Sequence, residues 1–245
     1  MIDALIRRRP AFLASVTSAE EASLALAGGA DLIDCKDPSA GALGALSFAV
    51  VRDVAVEVAG RLPVSATVGD LAPEPGVLVE AVSAMAATGV DIVKIGFFGD
   101  DDARPAIAAL GRMTLARARL VAVLMADQAP DFDLIAYLAA NGFAGVMLDT
   151  ANKSAGRLTT VMPVGGLAQF VLTARKSGLM SGLAGSLKRD DIATLASLAP
   201  DVLGFRGALC ETGRASKIDP ARVAAIRREI DRVQTIETAR EKSVA

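Results

Sequence analysis

Eight short apolar runs rich in β-branched residues punctuate the 245-residue chain: Phe12–Val16, Leu32–Lys36, Val64–Val68, Asp91–Gly96, Leu120–Met125, Gly145–Thr150, Met180–Ser186 and Val202–Gly207. They recur at a mean step of about 27 residues, which suits a strand, a turn and a returning helix. The segments between them have helical period. Ser18 before Ala19-Glu20-Glu21 reads as a helix start, and Gly28-Gly29 as its stop. Gly89, Gly142 and Gly178 each fall just before a run, where a helix ends in a left-handed residue. Strands separated by helices pair in parallel, and eight such units close on themselves. The expected fold is therefore α/β, a single (β/α)8 TIM barrel spanning residues 1–245, with a polar tail from about residue 234.

Apolar residues make up 52% of the chain, and that share belongs to buried strands. The apolar runs are far shorter than the roughly 20 residues a membrane span needs, so no membrane partner is expected. The Arg7-Arg8-Arg9 start leads into too short an apolar segment for an export signal, which points to a cytoplasmic protein. A net charge of −2, with both signs dispersed, leaves no footprint for nucleic acid. Cys35 and Cys210 are too few for a disulfide framework and read as small core residues. The run Arg227, Arg228, Glu229, Asp231, Arg232 reads as the solvated face of a last helix. Apolar positions on the outer helices fit a homo-oligomer.

The chain has no histidine, which removes Ser-His and Cys-His nucleophile pairs and almost every common zinc site. No metal and no cofactor is expected. In this fold, side chains at the carboxyl ends of strands do the chemistry, so an ionisable residue ending an apolar run is a candidate. Asp34 and Lys36 end strand two on one face, Lys94 lies near the end of strand four, Asp149 ends strand six and Arg206 ends strand eight. Inward side chains of one barrel layer come from alternate strands, so Lys36, Lys94 and Asp149 should converge. A lysine kept neutral there can attack a carbonyl and form a Schiff base. Lys153, four residues past Asp149, is placed to lean over the mouth.

Barrels often hold phosphate with the loops after strands seven and eight, where Gly185, Ser186 and Gly207 fall. Arg206 has two readings, a phosphate ligand or an ion-pair strut. Gly41-Ala42-Leu43-Gly44 lacks a nucleotide-binding spacing, and Gly69–Gly76 is a candidate lid.

The segments Asp34-Cys35-Lys36-Asp37-Pro38, Val64-Ser65-Ala66-Thr67-Val68-Gly69-Asp70, Val93-Lys94-Ile95-Gly96, Met147-Leu148-Asp149-Thr150, Leu183-Ala184-Gly185-Ser186 and Gly204-Phe205-Arg206-Gly207-Ala208 together resemble the (5-formylfuran-3-yl)methyl phosphate synthase family of methanofuran biosynthesis. The likeness runs from about residue 12 to 215, and the Arg-rich start and the longer polar C-terminal tail depart from the archaeal pattern. It implies a lyase joining two glyceraldehyde 3-phosphate molecules into 4-(hydroxymethyl)-2-furancarboxaldehyde phosphate, with loss of phosphate and water. It also implies Lys36 as the Schiff-base lysine and places Lys94, Asp149 and Lys153 around the substrate; Lys94 and Asp149 are then the candidates for moving protons, Asp34 for orienting a lysine, and Lys153, Ser186 and Arg206 for holding the retained phosphate. The alternatives from the residues alone are a class I aldolase or isomerase acting on another phosphorylated carbonyl compound, or a non-catalytic barrel subunit.

Overall fold

The computed structural model describes residues 10–99 and 101–244, with side chains described to 235; the Arg7–Arg9 run lies outside the described residues. Each of the eight apolar runs is a strand: β1 Ala11–Val16, β2 Leu32–Cys35, β3 Val64–Thr67, β4 Ile92–Phe97, β5 Arg119–Met125, β6 Gly145–Asp149, β7 Met180–Leu183 and β8 Val202–Phe205. They pair in parallel in chain order and close through β1 and β8, with Ala11 opposite Val202 and Ala14 opposite Phe205. Helices follow the strands: α1 Ala19–Ala27, α2 Phe48–Val58, α3 Pro75–Ala86, α4 Arg104–Gly111, α5 Leu134–Ala140, the short α6 Leu158–Val161, α7 Val164–Lys176, α8 Ile192–Ala196 and α9 Pro220–Val244.

Local chemistry sets the boundaries. The Ser18 hydroxyl accepts the Glu21 N–H at 3.2 Å, capping α1 as the sequence suggests. Gly89, Gly142 and Gly178 adopt φ of +94°, +76° and +71°, the left-handed turns that return the chain to the bottom of the barrel. The bottom rim is pinned by aspartates just ahead of alternate strands. Asp31 accepts the Phe12 N–H at 2.8 Å, Asp91 that of Val64 at 3.0 Å and Asp201 that of Ser181 at 2.8 Å.

Period-two alternation divides the apolar residues into two cores. Phe12, Ala14, Val16, Ile33, Cys35, Val93 and Ile95 face outward against the helices. Leu13, Leu32, Ile92, Val121, Val123, Met147, Met180 and Val202 fill the barrel itself. Both cysteines are free and buried.

Two expectations change. The charge run near the C-terminus is not a uniformly solvated face: Arg227 is buried, pairing with Asp31 at 2.7 Å and Asp231 at 2.8 Å. It shares the apolar stripe of α9 with Val223, Ile226 and Ile230, so its stem packs while its guanidinium locks the last helix to the start of β2. The polar tail from about residue 234 continues α9 as far as Val244.

Candidate active site

A cavity of about 780 Å³ opens at the carboxyl ends of the strands, lined by Asp34, Lys36, Lys94, Asp149 and Lys153 among others. The same alternation that puts Leu32, Ile92 and Met147 into the barrel puts Asp34, Lys94 and Asp149 one or more layers higher. An apolar floor therefore supports a charged layer.

Two buried lysine–carboxylate pairs form that layer. Lys94 Nζ lies 2.9 Å from Asp34 Oδ1, and Lys36 Nζ lies 2.9 Å from Asp149 Oδ2. Asp34 sits between Ser15 and Ser65 in the strand register, and both hydroxyls donate to it, at 2.9 and 2.6 Å. Those bonds fix its carboxylate and through it the reach of Lys94. Lys36 follows β2 directly and crosses the barrel to β6 to find its partner.

Lys153 leans back as the sequence suggests, with Nζ 2.5 Å from Asp149 Oδ1 and a second bond to the Thr150 carbonyl. Asp149 thus serves two ammonium groups, one on each oxygen. Burial acts to raise its pKa, but Lys36 and Lys153 outweigh that and hold the carboxyl well below the usual carboxylate range. Burial pushes the Lys153 amine below its ordinary value, Asp149 opposes this and the Lys36 charge adds to it. Lys153 therefore gives up its proton more readily than an ordinary lysine. Burial raises the Cys35 thiol, so Cys35 is no thiolate nucleophile.

The loop after β7 comes close to this cluster. Gly185 has φ +112°, and a Cβ there would lie 3.2 Å from the Thr150 nitrogen and 3.4 Å from Asp149 Oδ1. Ser186 is left-handed too, at φ +51°, a conformation uncommon for residues other than glycine. Gly185, Ser186, Gly207 and Ala208 line the cavity. Their backbone N–H groups have no hydrogen-bond partner among the described residues.

Arg206 takes the strut reading and not the ligand reading. All five of its N–H groups are engaged: Nε with the Arg214 carbonyl at 2.8 Å, Nη1 with the Ser15 carbonyl at 3.2 Å and Glu21 Oε2 at 2.5 Å, and Nη2 with Glu21 Oε1 at 3.3 Å and the Ser216 carbonyl at 2.9 Å. No donor is left for a phosphate. Glu21 also accepts from the Thr17 N–H at 2.8 Å and the Ile218 N–H at 3.2 Å. Glu21→Gln should lower stability by about 3–5 kcal/mol, because it leaves a buried guanidinium without its counter-charge. Chemical denaturation measures this, and a loss under about 1 kcal/mol would show the pair to be replaceable.

Three features were not anticipated. The Gly41–Gly44 loop folds inward: Asp37 N–H bonds the Gly44 carbonyl at 2.8 Å, and Leu43, fully buried, joins the barrel-filling core. Asp70, in the candidate lid loop, clasps it by accepting the Ala42 and Leu43 N–H groups, both at 2.7 Å. Arg214 lines the cavity from the turn after β8. Among the described residues, no three His, Cys, Asp or Glu side chains come together in a way that could hold a metal ion. No described helix is long and apolar enough to cross a membrane.

A model of the 4-HFC-P synthase family matches residues 12–227, nearly all of the barrel. The chain belongs to that family. A protein of Methylorubrum extorquens provisionally named (5-formylfuran-3-yl)methyl phosphate synthase is 48% identical over 217 residues, covering 88% of this chain and 89% of its own. The (5-formylfuran-3-yl)methyl phosphate synthase of Methanopyrus kandleri is 36% identical over 216 residues, covering 84% and 91%. Among solved structures, phosphoribosyl anthranilate isomerase from Thermus thermophilus matches with a TM-score of 0.67 at 14% identity, covering 91% of this chain and 99% of that one. Thiamine phosphate pyrophosphorylase from Pyrococcus furiosus matches at 0.60 and 12%, covering 91% and 95%. At such identities the structural likeness speaks for the barrel alone, and the sequence relatives carry the family.

Proposed function

We propose that the chain condenses two molecules of glyceraldehyde 3-phosphate into 4-(hydroxymethyl)-2-furancarboxaldehyde phosphate, as a lyase acting through a Schiff base on Lys36 in methanofuran-type cofactor biosynthesis. The stoichiometry closes with one phosphate and two waters released. The observation that carries the reading is Asp149 shared between Lys36 and Lys153 at a strand end, above an apolar floor and inside a cavity able to hold two triose phosphates. The relatives named as (5-formylfuran-3-yl)methyl phosphate synthases support it.

Lys36 passes a proton through Asp149 to Lys153 and attacks the aldehyde carbon of one triose phosphate; water leaves and an iminium forms. The positive nitrogen acidifies the neighbouring C–H, and Lys94, after passing its own proton to Asp34, takes that proton to give an enamine. The enamine electron pair then either expels the phosphate on the next carbon, re-forming the iminium, or adds to a carbon of the second substrate. Ring closure by a hydroxyl, loss of water and release of the lysine give the furan. The amides of Gly185, Ser186 and Gly207 seat the retained phosphate, a task that backbone N–H groups perform without a side-chain charge.

The experiment is borohydride trapping with glyceraldehyde 3-phosphate, peptide mass spectrometry to locate the adduct, and ultraviolet detection of the furan without reductant. An adduct on Lys36 together with the furan is expected. An adduct with a different product would mean an aldolase or isomerase on this barrel, and neither adduct nor furan would sink the reading.

A further inference from the structure

We propose that Arg214 is a phosphate ligand of this cavity, seating the monoester of one triose phosphate on the β2 side of the mouth, next to the loop that follows Lys36. The proposal rests on the substrate reading above and adds a second anion seat to it.

The argument starts from what Arg206 does with its guanidinium. Its Nε holds the carbonyl of Arg214 at 2.8 Å and its Nη2 that of Ser216 at 2.9 Å, so the buried Arg206–Glu21 pair acts as a post for the turn that carries Arg214. An antiparallel bridge between Cys210 and Ile218 closes the base of that turn. The backbone of Arg214 is therefore fixed although it lies in a loop.

Its side chain runs inward. Arg214 Cβ lies 3.8 Å from where a Cβ on Gly207 would be, so the stem starts within contact distance of Gly207. The guanidinium reaches the Gly41 carbonyl, 3.1 Å from Nη2, in the loop that follows Lys36. Four of its five N–H groups have no acceptor, and it forms no ion pair with a carboxylate, among the described residues. Asp149, Asp70 and Asp37 act on it only at longer range, and burial presses its pKa downward. A half-buried guanidinium with a fixed backbone and unfilled donors over a cavity is suited to bidentate recognition of a phosphate. Lys153, on the same cavity, adds positive charge from the β6 side. Two phosphorylated substrates require two seats, and the amides of the β7 and β8 loops supply one.

The test is calorimetric titration with inorganic phosphate of the wild type, Arg214→Gln and Arg214→Lys, with melting temperatures recorded alongside. Arg214→Gln should bind phosphate about tenfold more weakly or worse, as expected for a lost charge-assisted pair, and Arg214→Lys should recover part of the affinity. Borohydride trapping adds a second readout: Arg214→Gln should need more glyceraldehyde 3-phosphate to label Lys36, while labelling by unphosphorylated glyceraldehyde stays unchanged. A variant with wild-type phosphate affinity overturns the proposal; if its melting temperature alone falls, the side chain is only a pin on the Gly41 loop. A wild type that binds phosphate yet traps no triose phosphate would sink the Schiff-base reading and leave the seat standing.

Discussion

Lys36→Arg is expected to abolish furan formation and borohydride trapping as fully as Lys36→Ala does, a fall of roughly four orders of magnitude or more for a lost covalent nucleophile. The arginine variant is the more informative. Lys36 makes a buried pair with Asp149, so alanine removes a nucleophile and also leaves that carboxylate with one partner fewer. Arginine keeps a positive charge against Asp149, but a guanidinium stays protonated and cannot add to an aldehyde. If Lys36 only balanced charge, arginine would retain much of the rate. Steady-state assay of the furan chromophore separates the two, and substantial activity in Lys36→Arg would sink the imine.

Asp149→Asn should lower the rate of adduct formation by about 10²- to 10³-fold, within the range of a lost proton-transfer group. It should also destabilise the fold by about 3–5 kcal/mol near neutral pH, because two buried ammonium groups lose their shared counter-charge. The pH dependence has a definite sign. The folded-state value of Asp149 lies below its ordinary 3.8, so its contribution is fully present above that value and is lost as pH falls below it. The stability gap between wild type and variant should therefore be constant at neutral pH and narrow below about pH 4. Removing Asp149 also removes the group that props up the Lys153 amine, so the acid limb of the rate profile, below which Lys153 is protonated and cannot accept a proton, should move to lower pH. Denaturation at several pH values and a rate profile read the two effects independently. A gap that widens in acid would contradict the assignment.

The barrel and its charged layer were legible in the sequence because a parallel strand covered on both faces is apolar throughout, so Asp34, Lys94 and Asp149 stand out as interruptions. Period-two spacing then gives the face, and alternate strands give the convergence. Arg206 shows where that logic stops. Its place at a strand end was readable, but its partner Glu21 lies 185 residues away, and no local pattern says whether a guanidinium is already filled. Arg214 stands in a polar turn without period, so nothing local distinguished it from other surface arginines. Leu43 was overlooked because one apolar residue among glycines carries no periodic signal. Arg227 did have one: four residues after Val223 and three before Ile230, it lies on the apolar stripe of α9.

The seam between β1 and β8 joins the two ends of the barrel, and the Arg206–Glu21 pair crosses it. On the ribosome, the first seven strands emerge as a sheet with two unpaired edges, each a template for mispairing until the eighth arrives. Only after the turn around Arg214 and Ser216 has been made can Arg206 gather all its acceptors. The last fifth of the chain thus acts as a clasp on a nascent chain, and the timing of synthesis determines when the catalytic layer first comes together.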